Sequence, residues 1–353
     1  DTVRWYGYSV TIVGDIENGQ LYGPDNIELT QVIAVDLSRE TEEEFQRFEV
    51  FVGRFLDRSE SRLLNANTLV ADFGVDSVFY NDNVHIFRNM VVRAMEEKPD
   101  YAELIKQVWQ NFIAYLGVSD YGRFSVETYI NEFYLVTVAK VICVNIMAGE
   151  PVISNVNDIV KILNGEYFTG QNVYNLVEYD YFGWLNNSPY AEQIVDSVSE
   201  MQSRLVAYDF SRIGDNDIFG RLLAQLADKE HRLMLGQEFT PHWIARDIVE
   251  YNMAQLNDSN PRIVDMCCGS GVFLIESIKA VRKQYDIFPE RYSTEKDNIA
   301  FSCVMGFDID PLAVMLAKVN WVMSMRDLFR VHHGDIIVPI YHADSLFVAT
   351  PIT

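Results

Sequence analysis

Residues 263–274 read Ile263-Val264-Asp265-Met266-Cys267-Cys268-Gly269-Ser270-Gly271-Val272-Phe273-Leu274. Ile263 and Val264 end an apolar, strand-like stretch, and Asp265 stands where that strand stops. Cys268-Gly269-Ser270-Gly271 forms a tight turn, and Val272 to Ile275 opens a helical pattern. In an α/β sheet such a strand–turn–helix unit lies at the carboxyl edge of a strand, where ligands bind. The glycines let backbone approach a ligand closely. Asp265 separates the run from a dinucleotide fingerprint, because a carboxylate there repels a pyrophosphate and holds a cation.

A cationic nucleoside ligand means S-adenosylmethionine, with its sulfonium and its ammonium. Downstream, Cys303-Val304-Met305-Gly306-Phe307-Asp308-Ile309-Asp310-Pro311 is a second apolar strand ending in acids. An acid at that place can accept hydrogen bonds from ribose hydroxyls. Asp308 is the better candidate because it directly ends the strand, while Asp310-Pro311 opens the next helix, with Pro in its first turn. A third strand-like stretch, Ile336 to Tyr341, leads to His342-Ala343-Asp344-Ser345-Leu346, where Asp344 can accept from an adenine amine. Upstream of the glycine turn, Gly236-Gln237-Glu238-Phe239-Thr240-Pro241 precedes a helical run from His242 to Met253.

In this order the four motifs resemble the adenine-specific DNA methyltransferases of restriction–modification systems. They look like the gamma-ordered amino-methyltransferases, which include type I modification subunits and fused restriction–methylation enzymes. The resemblance covers residues 215–353 and implies a Rossmann-like S-adenosylmethionine-dependent domain acting on double-stranded DNA. It implies that Phe239, Thr240 and Pro241 contact the methionine end of the cofactor. Asp265, Cys267, Gly269 and Gly271 would surround its amino acid portion. Asp308 would bind the ribose, Phe307 or Ile309 would lie near the adenine, and Asp344, assisted by Ser345, would hold the adenine amine.

One departure stands out. The family's catalytic Asn/Asp-Pro-Pro-aromatic segment follows the position of Asp344, and no such segment occurs before Thr353. The expectation is therefore the front portion of a longer enzyme, with no catalytic residue in this chain and a methyltransferase domain truncated after its third strand. Asn187-Ser188-Pro189-Tyr190 lacks the first proline and precedes the other motifs, so it reads as a loop followed by a helix starting near Pro189.

The 353 residues suffice for two domains with sizeable cores. The division expected from motif content is 1–214, acidic and mainly helical with a short β-containing start, and 215–353, the cofactor-binding part. The formal net charge of −23 argues against a generic nucleic-acid binder. Residues 231–353 hold 11 Lys/Arg and 15 Asp/Glu, whereas the preceding 230 hold 17 and 36, so the acidity belongs to the front. If the whole enzyme binds DNA, most of its basic surface lies elsewhere, or the front faces a partner such as another restriction–modification subunit. None of Cys143, Cys267, Cys268 and Cys303 has metal-ligand spacing, and a reducing cytoplasm is the natural compartment. No membrane association is expected: the apolar run Tyr129 to Met147 carries Glu132 and Lys140 and reads as a buried core helix.

Near the start, residues 8–14 and 31–36 are β-like around a turn at Glu17-Asn18-Gly19, and a helix is expected from Ser38 through Leu56. Helical patterns follow near 84–97, 101–116, 126–148, 156–163, 190–208 and 217–235. Aromatics crowd residues 164–184 without interleaved Lys or Arg, which points to core packing rather than base stacking. Two other functions use the same fold or surface. One is methylation of protein glutamine or RNA, since fold does not set substrate. The other is a non-catalytic module that docks other subunits through the acidic front.

Overall fold

The computed structural model describes residues 4–12, 27–36, 41, 48, 62–115, 124–177, 181–187, 189–211, 213, 218–226, 240–256, 260–289, 294–329, 331–332, 334–343 and 345. They fall into two compact units, Asp1–Arg62 with Ser203–Tyr208, and Leu63–Gln202 with Asp209–Thr353. In the first, β1 (Arg4–Ile12) and β2 (Ile27–Asp36) pair antiparallel with a register shift between Gly7 and Tyr8. Both strands start earlier than the alternation alone suggested. The turn at 17–19 and nearly all of the helix expected at 38–56 lie outside the described residues.

In the second unit the front helices and the motif-bearing segment share one core. Helix α1 (Val78–Glu97) is capped by Ser77, whose hydroxyl accepts the Tyr80 amide at 3.1 Å. Helix α2 (Val126–Ala148) is capped by Ser125 and ends at Gly149, whose φ of 71° closes it in the left-handed region. α2 is apolar on every face, so it is stable only when surrounded by protein. It is long and apolar enough to cross a membrane, and most of it is buried inside the protein. Lys140, fully buried, donates to the Leu163 carbonyl at 2.7 Å, and burial pulls its pKa down to about 7.

Helix α3 (His242–Met253), strand β3 (Ile263–Asp265), helix α4 (Val272–Tyr285), strand β4 (Val304–Asp308), helix α5 (Pro311–Phe329) and strand β5 (Ile340–His342) carry the motifs. The three strands are parallel in the order β3-β4-β5. α5 starts at the expected place: Asp310 accepts the Leu312 amide at 2.9 Å, and Pro311 fills the first helical position. α5 is, like α2, buried along most of its length, and the two pack against each other. The class is α/β, mostly helical with small parallel sheets.

Two expectations are corrected. The strand expected over 336–341 is split, because Pro339 has no N–H to donate to a ladder. Ile336–Ile337 pairs in parallel with Val173–Tyr174, and only Ile340–His342 joins the three-stranded sheet. The pattern over 190–208 forms two helices, Tyr190–Gln193 and Val195–Leu205. The pattern expected over 217–235 is helical at Gly220–Leu226, and 227–239 lie outside the described residues. The aromatics of 164–184 do pack: Phe168, Tyr181, Phe182 and Trp184 are buried, and the Trp184 indole N–H donates to the Tyr129 hydroxyl at 2.9 Å. Tyr190 of the 187–190 segment is buried beside Trp184 and donates to Glu97.

Candidate functional site

The glycine turn joins β3 to α4 and is held from three sides. Its own chain closes it, with the Gly271 amide donating to the Cys268 carbonyl at 2.8 Å. β4 supports it, since the Cys268 amide donates to the Phe307 carbonyl at 2.9 Å. α5 presses on it from behind. Asn320, fully buried, donates to the Ser270 carbonyl at 2.9 Å, and a Cβ on Gly271 would stand 3.2 Å from that of Ala317. Gly271, at φ 90°, is thus required twice, for its backbone and for its contact. Gly269, at φ 52°, differs: a Cβ there would meet nothing within 4 Å, so open space lies over it.

The two acids at the strand ends are engaged differently. Asp308 accepts the Gly269 amide at 2.8 Å with one oxygen and the Asp310 amide at 2.9 Å with the other. Its backbone carbonyl accepts the Ala343 amide at 3.0 Å, which ties the end of β5 to β4. Asp265 accepts the Cys267 amide at 3.2 Å and has no ion pair among the described residues. Burial pushes the Asp265 carboxyl above the usual carboxylate range; the Cys267 amide opposes this and the nearby Asp308 charge adds to it. Among the described residues, the site therefore holds a half-buried carboxylate with no cation beside it.

Around this centre the His342 ring meets the Ile309 carbonyl at 2.9 Å, and the Ser345 hydroxyl donates to the Met266 carbonyl at 2.7 Å. Phe307 and Tyr341 stack with centroids 5.9 Å apart. Cys267 is exposed, whereas Cys268 is buried and desolvation raises its thiol pKa far above the ordinary range, so it is no thiolate nucleophile. Thr240 is half-buried and exposed Pro241 leads into α3, whose first residue, His242, lies 3.1 Å from the buried Glu276 carboxylate of α4. Burial would raise that carboxyl, but hydrogen bonds from His242 and Lys279 outweigh it and hold it below the usual range. Phe239 and Asp344 lie outside the described residues.

Of the residues read from sequence, the structure brings Asp265, Cys267, Gly269, Gly271, Asp308 and Ile309 together. Asn320, Ala317 and Glu276 were missed. Their signal was slight: a buried Asn three residues after an Ala, and one acid within an otherwise apolar helix face.

Residues 214–348 match the family model of N-6 DNA Methylase. The match spans all four motifs and bears out the resemblance to adenine-specific DNA methyltransferases over that segment. Among solved structures, a chain of the cryoEM structure of the DrdV–DNA complex is similar, with 13% sequence identity and a TM-score of 0.46. That similarity covers 91% of this chain and 29% of that chain, so the methylase segment and its front together span under a third of that relative's length. No curated protein matches the chain.

Proposed function

We propose that the N-6 DNA methylase segment binds S-adenosylmethionine and belongs to a longer restriction–modification enzyme that methylates the exocyclic amine of adenine in duplex DNA. The observation that carries this reading is the half-buried Asp265 carboxylate, with no cation beside it among the described residues, next to open space over Gly269. The residues fit a nucleoside cation. Asp265 would hold the ammonium, and the unused lone pairs of Asp308 would accept ribose hydroxyls. Ile309 would lie against the adenine, and Asp344 would accept its amine. Phe239, Thr240 and Pro241 would border the methionine end, with Cys267, Gly269 and Gly271 lining the turn. When bound, the cofactor supplies an electrophilic methyl group.

The described sheet supports a longer Rossmann-like fold. Parallel sheets are buried on both faces. One face here is covered, since Gly306 lies against Leu274 of α4, and Val304 and Ile340 are buried. On the other face Val264 and Met305, paired in register, are 52% and 39% exposed. Among the described residues β3 pairs only with β4. Further strands on the β3 edge and helices over the bare face would complete the fold. The catalytic Asn/Asp-Pro-Pro-aromatic segment is expected with them, after Thr353.

In the test, residues 1–353 and the full gene product are compared. Calorimetry should detect S-adenosylmethionine bound to the full product, and nucleosides from cells expressing it should contain N6-methyladenine. Methylation confined to cytosine carbon, RNA or protein would overturn the reading. Label transfer to duplex DNA by residues 1–353 alone would overturn the assignment of catalysis to later sequence.

A further inference from the structure

Asn175 precedes residues 214–348, the segment that matches the methylase family, yet its side chain is bonded into that segment. Its amide Nδ2 donates to the Val338 carbonyl at 2.7 Å and to the Ile340 carbonyl at 3.0 Å. Its Oδ1 accepts from the buried Lys318 ammonium of α5 at 3.3 Å. An ammonium only donates and a carbonyl only accepts, so the amide fits one way round. Backbone preference suits the same place. Asn175 has φ 60°, in the left-handed region that Asn tolerates better than most residues.

The two carbonyls flank Pro339, where the chain changes partners. Before it, Ile336–Ile337 pairs with Val173–Tyr174, and the Val338 amide donates to the Tyr174 carbonyl at 3.0 Å. After it, β5 pairs with β4, and the Pro339 carbonyl accepts the Gly306 amide at 3.0 Å. Pro339 has no N–H to hold this junction. Asn175 supplies donors from a side chain instead. Downstream, the Ala343 amide donates to the Asp308 carbonyl and the His342 ring meets the Ile309 carbonyl, at the nucleoside end of the proposed site. We infer, resting on the proposed function, that Asn175 is a positioning residue for purine recognition: by tying both sides of Pro339 to α5 it sets where β5 ends and so where the chain meets the purine. The backbone ladder at Val173–Tyr174 already joins the two segments, so that pairing does not need the side chain. What the side chain adds is the orientation of the peptides that lead into β5. A misplacement of about 1 Å at a site can cost about a hundredfold. The front of the chain thus completes the cofactor pocket rather than only flanking it.

The full gene product is titrated calorimetrically with S-adenosylhomocysteine and with S-inosylhomocysteine, which lacks the purine amine. Asn175→Gly keeps the left-handed backbone and removes the side chain. Asn175→Asp keeps an acceptor for Lys318 and removes the N–H. Both variants should bind the adenosyl ligand about tenfold more weakly, the scale of one lost hydrogen-bonded contact, and their preference for it over the inosyl ligand should shrink. Hydrogen exchange without ligand, read in the peptides that hold Gly306, Ala343 and Gly271, is the second readout. Exchange should speed up at Gly306 and Ala343 and stay unchanged at Gly271, whose amide bond to Cys268 closes the glycine turn. A merely structural role would speed all three. An unchanged preference between the two ligands, or an equal acceleration at Gly271, would overturn the inference. A wild type that binds neither ligand would overturn the proposed function and the purine role with it, whereas a binding wild type with an unchanged preference in both variants would overturn the inference alone.

Discussion

The ends of β3 and β4 carry one acid each, and the fold uses them in opposite ways. Asp308 accepts two backbone amides and so shapes the turn between β3 and α4. Asp265 accepts one, at 3.2 Å, and is half-buried with no cation beside it among the described residues. Burial without a counter-charge destabilises a carboxylate. On the proposed reading, the difference separates a charge that shapes the turn from one left to meet a ligand.

Removing the pocket-building acid should have the largest effect. Asp308→Ala strips the Gly269 and Asp310 amides of a charged acceptor, each such bond being worth about 1.5–3 kcal/mol. Urea denaturation should show a loss of roughly 3 kcal/mol, and calorimetry no cofactor binding. Unchanged stability would erase the distinction between the two acids.

Asp265→Asn should split the two readouts. The amide oxygen can still accept from Cys267, but the charge is gone. Affinity for S-adenosylmethionine should fall about tenfold to a hundredfold, as expected for one charge-assisted bond. A carboxyl whose pKa is raised by folding favours the folded state at low pH, and that contribution is lost as pH rises through the raised value. The ionised group therefore weakens the fold at neutral pH, and the variant should melt higher there. A lower melting temperature would show that Asp265 also builds the pocket.

The pH profile sharpens the same contrast. Cofactor affinity of the wild type should decline as pH falls through the raised Asp265 value, because the acid proposed to receive the ammonium becomes neutral. In Asp265→Asn this decline should be absent; its persistence would assign the titration to another group. Asn320→Ala should have the smallest effect. It removes a neutral hydrogen bond to the Ser270 carbonyl, worth about 1 kcal/mol, and should weaken cofactor binding by less than tenfold.

Much of the site was legible because its signals are local. Asp265 before two glycines, and Asp308 before Asp310-Pro311, are each read within a dozen residues. The strand that Pro339 splits was harder: six consecutive strand-like residues hid the point at which the chain leaves Val173–Tyr174 and joins β4. Asn320 and Ala317 were not legible as site residues. They lie about fifty residues from the turn they support and are recognisable only once α5 is packed behind it.

Order and spacing along the chain were enough to establish the strand–turn–helix units, the acids that end the first two strands and the depth of α2, since each follows from backbone preference or from apolarity on every helix face. Packing alone decided which acid would be tied up by amides and which sheet face would stay half-exposed among the described residues. Those outcomes depend on contacts between residues far apart in sequence, and no local pattern carries them.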